Sequence, residues 1–204
     1  MGTTFNTLTL SLIPIAIVLN IVMGQIVNTL RIPLYLDSIG TVLVGVLAGP
    51  IAGGLTGLLS NVIWGLLTNP VGIWFAPVAA VIGILAGLFG ARGWFRKLPN
   101  TVLAGLITGI IAALLSAPIS AYVFGGVTGG GSDVLVGFFR TVTDNIVTAS
   151  LGQGIVSDPL DKLITFLVVF LVLKGMSRRL LVRFPQGERT AEPRRKPLIG
   201  RVER

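Results

Sequence analysis

The sequence predicts an all-α integral membrane protein, folded as a compact bundle of six transmembrane helices with a structured first outer loop. The chain of 204 residues is 52% hydrophobic and only 12% charged, whereas a soluble domain has about 25% charged residues. Its mean hydropathy is +0.88. The apolar residues form runs close to the roughly 20 residues that a helix needs to cross a bilayer.

Six spans follow one another along the chain. We predict them at residues 8–29, 38–48, 51–67, 73–90, 101–124 and 160–176. The second span is short, which predicts a broken or tilted helix. It is separated from the third by Ala48-Gly49-Pro50, because a glycine followed by a proline breaks a helix tightly. The segments 68–72 and 91–100 are predicted as a turn and a basic loop, and 125–157 as a long outer segment.

Glycines four residues apart predict close packing between these helices. They form three sets: Gly45, Gly49, Gly53 and Gly57; Gly83 and Gly87; Gly105 and Gly109. Small residues at this spacing let helix backbones approach, which matters in lipid because no hydrophobic force drives the helices together.

Basic residues set the predicted orientation. With the N-terminus inside, every Lys and Arg except Arg31, Arg140 and Lys162 lies on the inner side, as the positive-inside rule requires. We therefore predict a multi-pass protein of a bacterial plasma membrane with both termini in the cytosol. Residues 1–181 form the membrane domain, and residues 182–204 form a basic, disordered cytosolic tail.

The tail has two interpretations. Contact with lipid headgroups suits its basic residues, so membrane lipid is a predicted partner. Nucleic acid is not, because the tail has no interleaved aromatic residues on which bases would stack.

Catalysis is not predicted. The chain contains no Cys and no His, which removes thiolate ligands and the commonest general base. No nucleotide-binding glycine–lysine loop is present. We therefore expect no enzyme activity, no cofactor and no metal site. Charges are predicted only at the ends of spans, which argues against a proton pump, a sodium-coupled carrier or a voltage sensor.

Polar and aromatic residues gather near the predicted outer ends of the spans, which suggests a binding site there. Asn61 and Trp64 lie three apart on one helix face, and an amide in an apolar span needs a partner on another helix or on a ligand. The predicted substrate-binding residues are Tyr35, Asp37, Asn61, Trp64, Trp74, Tyr122, Arg140, Asp161 and Lys162.

Alternatives stay open for several of these residues. Trp64, Trp74 and Tyr122 also suit an interfacial aromatic belt. Asp158 and Asp161 also suit the start of the sixth helix, where carboxylates cap free N–H groups.

An amphipathic helix is predicted in the outer segment. Asp133, Gly137, Arg140 and Asp144 form one polar stripe at helical spacing. A glycine-rich hinge precedes it. The helix is either a lid over an outward-facing pocket or an interfacial helix without a ligand.

Two segments carry a resemblance to a known family. They are "IPLYLDSIGTVLVGVLAGPIAGGLTGLLSNVIWGLL", residues 32–67, and "DPLDKLITFLVVFLVLKGMSRRL", residues 158–180. Together with the six spans they resemble the substrate-binding S component of an energy-coupling factor (ECF) transporter, of the riboflavin-transporter-like family, over about residues 8–181. The resemblance implies that the first outer loop caps a vitamin pocket lined by the outer halves of helices four to six.

The resemblance also implies partners. An S component binds a vitamin-like molecule and delivers it with a transmembrane coupling subunit and two ATPase subunits. Small residues on the first helix dock the coupling subunit in that family, and the matching positions here are Ala16, Asn20 and Gly24. Asn20 stands where the family has alanine. The alternative hypotheses are a membrane sensor or scaffold that signals through its basic tail and, more remotely, a lipid-modifying enzyme using Asp144 or Asp161.

Overall fold

The computed structural model describes residues 5–190, and the structured parts of that range are helical. Two short 3₁₀ segments, Pro70–Phe75 and Trp94–Arg96, precede the fourth and fifth helices. Within the described range, the nine α-helices are α1 (Thr7–Thr29), α2 (Ile39–Ala48), α3 (Pro50–Leu67), α4 (Ala76–Ala91), α5 (Leu98–Phe124), α6 (Asp133–Arg140), α7 (Ile146–Gly175), α8 (Arg178–Leu181) and α9 (Gly187–Thr190).

Four helical stretches in the described range are long and apolar enough to cross a membrane. They are α1, α3, the stretch Pro70–Ala91 that contains α4, and α5. The prediction of an all-helical protein with membrane-crossing helices is confirmed at this level. The prediction of six spans is not confirmed by length and composition. Helix α2 is only about 15 Å long, and α7 carries charged residues within its length.

The corner between α2 and α3 follows the predicted break. Gly49 has φ +107°, a value that side-chain-bearing residues rarely adopt. Pro50 then occupies the first turn of α3, where its missing N–H costs no intrahelical hydrogen bond. The two helices therefore fold back on each other with no intervening loop.

Glycines hold the helices close, as their spacing predicted. A Cβ on Gly83 of α4 would overlap the backbone carbonyl of Gly53 on α3. A Cβ on Gly109 of α5 would overlap the backbone at Pro159 of α7. The pairs α3–α4 and α5–α7 therefore pack backbone against backbone, which leaves no room for a larger side chain.

Helix α7 begins fourteen residues before the predicted sixth span. Asn145 starts it by accepting hydrogen bonds from the backbone N–H of Val147 at 2.9 Å and of Thr148 at 3.1 Å. The sequence predicts that Asp161 and Lys162 start a helix. They lie instead near the middle of α7, with Lys162 about 24 Å from its first residue. The prediction failed because an apolar run ends at polar residues, whereas here Asp158, Asp161 and Lys162 are buried and bonded to Ser116 of α5 and to residues 35–38.

Basic residues collect at one end of the helices. This end consists of the α2–α3 corner, residues 91–97 and residues 174–190, and we call it the basic end. Asn6 donates to the Arg183 carbonyl at 2.8 Å, and Arg96 donates to the Glu188 carbonyl at 2.9 Å. Phe184 is buried. The predicted boundary at residue 181 is therefore too early, since residues 182–190 pack on the membrane domain; residues 191–204 of the predicted tail lie outside the described residues.

The amphipathic helix is shorter than predicted. It ends at Arg140, so Asp144 lies beyond α6 and does not extend its polar stripe. Asp133 accepts hydrogen bonds from the backbone N–H of Thr128 at 3.0 Å and of Gly129 at 2.7 Å. These bonds fix the turn before α6, and the ring of Phe139 packs against Gly152 on α7.

Candidate functional site

A cavity lies at the end of the helices opposite the basic end. It lies between α1, α3, α4, α5, α7, residues 128–131 and the segment 30–38, which we call the first loop. The volume open to the centre of a water molecule is about 130 Å³, many times the roughly 10–15 Å³ that one water needs. Its polar and aromatic lining residues are Asn28, Tyr35, Asp37, Asn61, Trp64, Asn69, Phe75, Ser116, Ser120, Thr128, Gln153, Asp158 and Lys162.

A buried ionic cluster forms the floor of the cavity. Lys162 is 2% exposed, pairs with the Asp161 carboxylate and donates to the Ser38 hydroxyl at 3.0 Å. The carboxylate of Asp37 is 3.9 Å from the same ammonium group. A lysine this deeply buried needs carboxylate partners to offset its desolvation. The cluster therefore ties α7 to the start of α2 and to the first loop.

Asp161 anchors the first loop rather than lining the cavity. Its Oδ1 atom accepts hydrogen bonds from the backbone N–H groups of Tyr35 at 2.9 Å and of Leu36 at 2.7 Å. Leu36 has φ +50° and Arg31 has φ +55°, which is uncommon for residues with side chains and costs about 1–3 kcal/mol each. The bonds to Asp161 help to hold the loop in this conformation over the cavity.

The two predicted residues of the first loop both face the cavity. The Tyr35 hydroxyl accepts a hydrogen bond from Gln153 at 3.0 Å, and its ring centre is 5.9 Å from the Lys162 ammonium, within reach of a cation–π contact. Burial raises the pKa of Tyr35 above its ordinary value. Burial also raises the pKa of Asp37, and the neighbouring Lys162 opposes that rise.

Asn61 presents an unpaired amide to the cavity. The residue is 4% exposed and lines the cavity, yet within residues 5–190 its side chain has no hydrogen-bond partner. Asn20, the other asparagine buried among the helices, is fully bonded to Thr41, Ser60 and the Gly40 N–H. The Asn61 amide is open to the cavity, so it is available to a bound molecule.

Trp64 forms an aromatic wall of the cavity. It is 6% exposed, and its indole N–H donates to the Gln25 side chain at 3.2 Å. A Cβ on Gly24 would come within 2.8 Å of the indole ring, so the glycine makes room for Trp64. This burial does not fit a lipid-facing aromatic belt.

Three predicted site residues lie away from the cavity. Trp74 is 55% exposed and Tyr122 is 78% exposed, and Arg140 is exposed on α6. Phe75 lines the cavity in place of Trp74, because the 3₁₀ winding of Pro70–Phe75 turns adjacent side chains in different directions. Tyr122 lies roughly 200° around α5 from Ser120, which faces the cavity. The expectation that Trp74 and Tyr122 converge with the others was therefore wrong, and Arg140, predicted to bind substrate, does not line the cavity either.

The predicted docking face is also wrong in this fold. Ala16, Asn20 and Gly24 are buried within the chain and pack against α2 and α3. Asn20 donates to Thr41 at 2.8 Å and to Ser60 at 3.0 Å. Small residues allow close approach to any neighbour, and spacing alone does not say whether that neighbour belongs to the same chain. The exposed side of α1 is instead apolar, and it carries Leu10, Ile15, Val18, Val22 and Ile26.

Several lining residues were not predicted. Asp158 was interpreted as a helix cap, and Gln153 was placed in the outer segment, because α7 was predicted to start too late. Ser116 and Ser120 gave a usable signal, since two small polar residues four apart share one face of an otherwise apolar helix. Phe75 had no distinguishing pattern in the sequence.

Comparisons of this chain with protein-family models, with curated proteins and with solved structures give no match. The class of protein that the fold and site define is a helical protein with membrane-crossing helices and a cavity of apolar, aromatic and a few polar groups at the end away from its basic residues. The resemblance to ECF S components remains a prediction.

Proposed function

We propose that the chain binds a small organic molecule in this cavity and is the substrate-specific subunit of an ECF-type transporter. In this proposal it crosses a bacterial plasma membrane with α1 to α5 and α7, and both termini are cytosolic. It takes a vitamin or similar molecule from outside and delivers it with a coupling subunit and two ATPase subunits.

The unpaired amide of Asn61 is the observation that carries the proposal. An amide in an apolar helix needs a hydrogen-bond partner on another helix, on a ligand or in water. Here the amide faces a cavity whose walls also include the aromatic residues Tyr35, Trp64 and Phe75. Few convergent polar groups among apolar and aromatic walls are typical of small-molecule sites.

The position of the cavity supports binding from outside. The basic end carries Arg92, Arg96, Lys97 and the basic residues of 174–190, and such residues favour the cytosolic side. The cavity lies at the other end, under a loop that Asp161 holds in place. This arrangement suits a site that receives its ligand from outside.

The role as a transporter subunit is tested by purification from native membranes. A tagged chain at native expression level is extracted in mild detergent, and its partners are identified by mass spectrometry. We expect a membrane coupling subunit and two ATPases in fixed ratio. Purification without any ATPase, combined with unchanged vitamin uptake in a deletion strain, would contradict this role. The sensor or scaffold alternative depends on a tail whose residues 191–204 lie outside the described part, and no observation favours it.

A further inference from the structure

The cavity has an excess of acidic groups. Asp37, Asp158 and Lys162 line it, and Asp161 lies directly beneath it. Among residues 5–190, Lys162 is the one basic residue on its walls. The closest partner of Lys162 is Asp161, which also accepts two backbone hydrogen bonds from the first loop. The charge of Lys162 is therefore already committed to holding the protein together.

Asp158 is the carboxylate that has no ion pair of its own within residues 5–190, because Lys162, the nearby cation, is paired with Asp161 and Asp37. It is 5% exposed, and among the described residues no Lys or Arg forms an ion pair with it. Its one hydrogen bond there comes from the Ser116 hydroxyl at 3.4 Å, although a carboxylate can accept about four. One lysine therefore faces three carboxylates, and a buried carboxylate that is only partly compensated by a shared cation is unfavourable.

The aromatic walls of the cavity complement such a charge. Trp64 and Phe75 offer aromatic faces, which attract cations as well as planar rings. Asn61 adds an unpaired amide that can both donate and accept a hydrogen bond. These features suit a molecule with a positive charge, a planar or apolar body and a polar group at the far end.

We propose that the molecule bound in this cavity is an organic cation whose charge is neutralised by Asp158. The inference rests on the proposed function only in assuming that the cavity binds a small molecule. It would place the cation between the Asp158 carboxylate and the aromatic walls, with its polar group against Asn61. There are two competing outcomes. The cavity binds a neutral molecule with Asp158 protonated, or it binds an anion through Lys162.

Capture of a ligand from a mixture of metabolites tests the charge. Purified protein is incubated with an aqueous metabolite extract of its host, washed and denatured, and the released molecules are identified by mass spectrometry. Molecules retained by the wild type and lost from Asn61→Ala are assigned to the cavity. We expect a quaternary or protonated nitrogen compound. A neutral or anionic molecule at the cavity would overturn the proposal but leave the proposed binding function intact.

The role of Asp158 is tested with the molecule so identified. Asp158→Asn should lower its affinity at least ten-fold, whereas Asp144→Asn, on the exposed segment after α6, should leave it unchanged. Ser116→Ala keeps the carboxylate and should change affinity by no more than a few-fold. If Asp158→Asn has a thermal unfolding midpoint close to that of wild type and binds the cation as tightly, Asp158 is not its counter-ion. If the wild type retains no molecule, both this inference and the binding function fail.

Discussion

Single residues of this chain do two different jobs around the cavity. Lys162 and Asp161 form an ion pair, and Asp161 accepts a hydrogen bond from the backbone of the first loop, so the role of this pair is structural. Asn61 and Asp158 lie on the walls with few or no protein partners. The sequence pattern could select polar residues in an apolar chain, but it could not separate these roles, because the difference lies in contacts between residues more than a hundred positions apart.

Replacing Lys162 should destabilise the protein. Lys162→Met leaves the buried Asp161 and the neighbouring Asp37 without their cation, and breaking a buried ion pair in this way costs about 3–5 kcal/mol. We expect a clear fall in the thermal unfolding midpoint of the detergent-solubilised protein. Lys97→Met, at an exposed position of the basic end, is the matched control and should unfold close to wild type. Equal midpoints for the two variants would show that the buried ion pair contributes no stability.

At the scale of helices, the apolar elements were predictable and the polar one was not. The ends of α1 and α3 lie within a few residues of the predicted spans, and the corner at Gly49 is where glycine and proline indicated it. Helix α7 was missed over its first fourteen residues. Gln153, Asp158 and Lys162 of this helix have partners in Tyr35, Ser116 and Ser38, and a single sequence does not show such partners.

The close approach of α3 and α4 gives a prediction at this scale. In Gly83→Ala the new methyl group would overlap the Gly53 carbonyl, so the helices must separate, and overpacking of this kind costs about 1–3 kcal/mol. Gly175→Ala, at the end of α7 with no atom near the added Cβ, is the control. Thermal unfolding should show a lowered midpoint for the first variant only. A midpoint for Gly83→Ala equal to that of Gly175→Ala would show that α3 and α4 are not in backbone contact at Gly83.

At the scale of the whole molecule, charge separates the two ends. Basic residues cluster where the chain folds residues 182–190 against the α2–α3 corner, and the cavity lies at the other end. The composition and the distribution of Lys and Arg already contained this asymmetry. The sequence could not show that the face of α1 with Ala16 and Gly24 packs within the same chain, because small residues allow close approach to any neighbouring helix.

Cysteine labelling tests the proposed orientation. The native chain has no Cys, so single cysteines report without background. Val134→Cys lies on α6 near the cavity end and Arg178→Cys at the basic end, both at exposed positions. In intact cells an impermeant maleimide should label position 134 and should reach position 178 only after the membrane is opened. The reverse pattern would put the cavity on the cytosolic side.

The central claim is that the cavity binds a small molecule through Asn61. Native mass spectrometry of the gently purified protein measures this directly, by comparing wild type with Asn61→Ala and with Asn100→Ala, an exposed asparagine near the basic end. We predict one additional small-molecule mass on wild type and on Asn100→Ala, and its loss from Asn61→Ala, because losing a hydrogen bond worth about 1.4 kcal/mol lowers affinity ten-fold. Equal occupancy in all three proteins, or no bound molecule in any of them, would contradict the account.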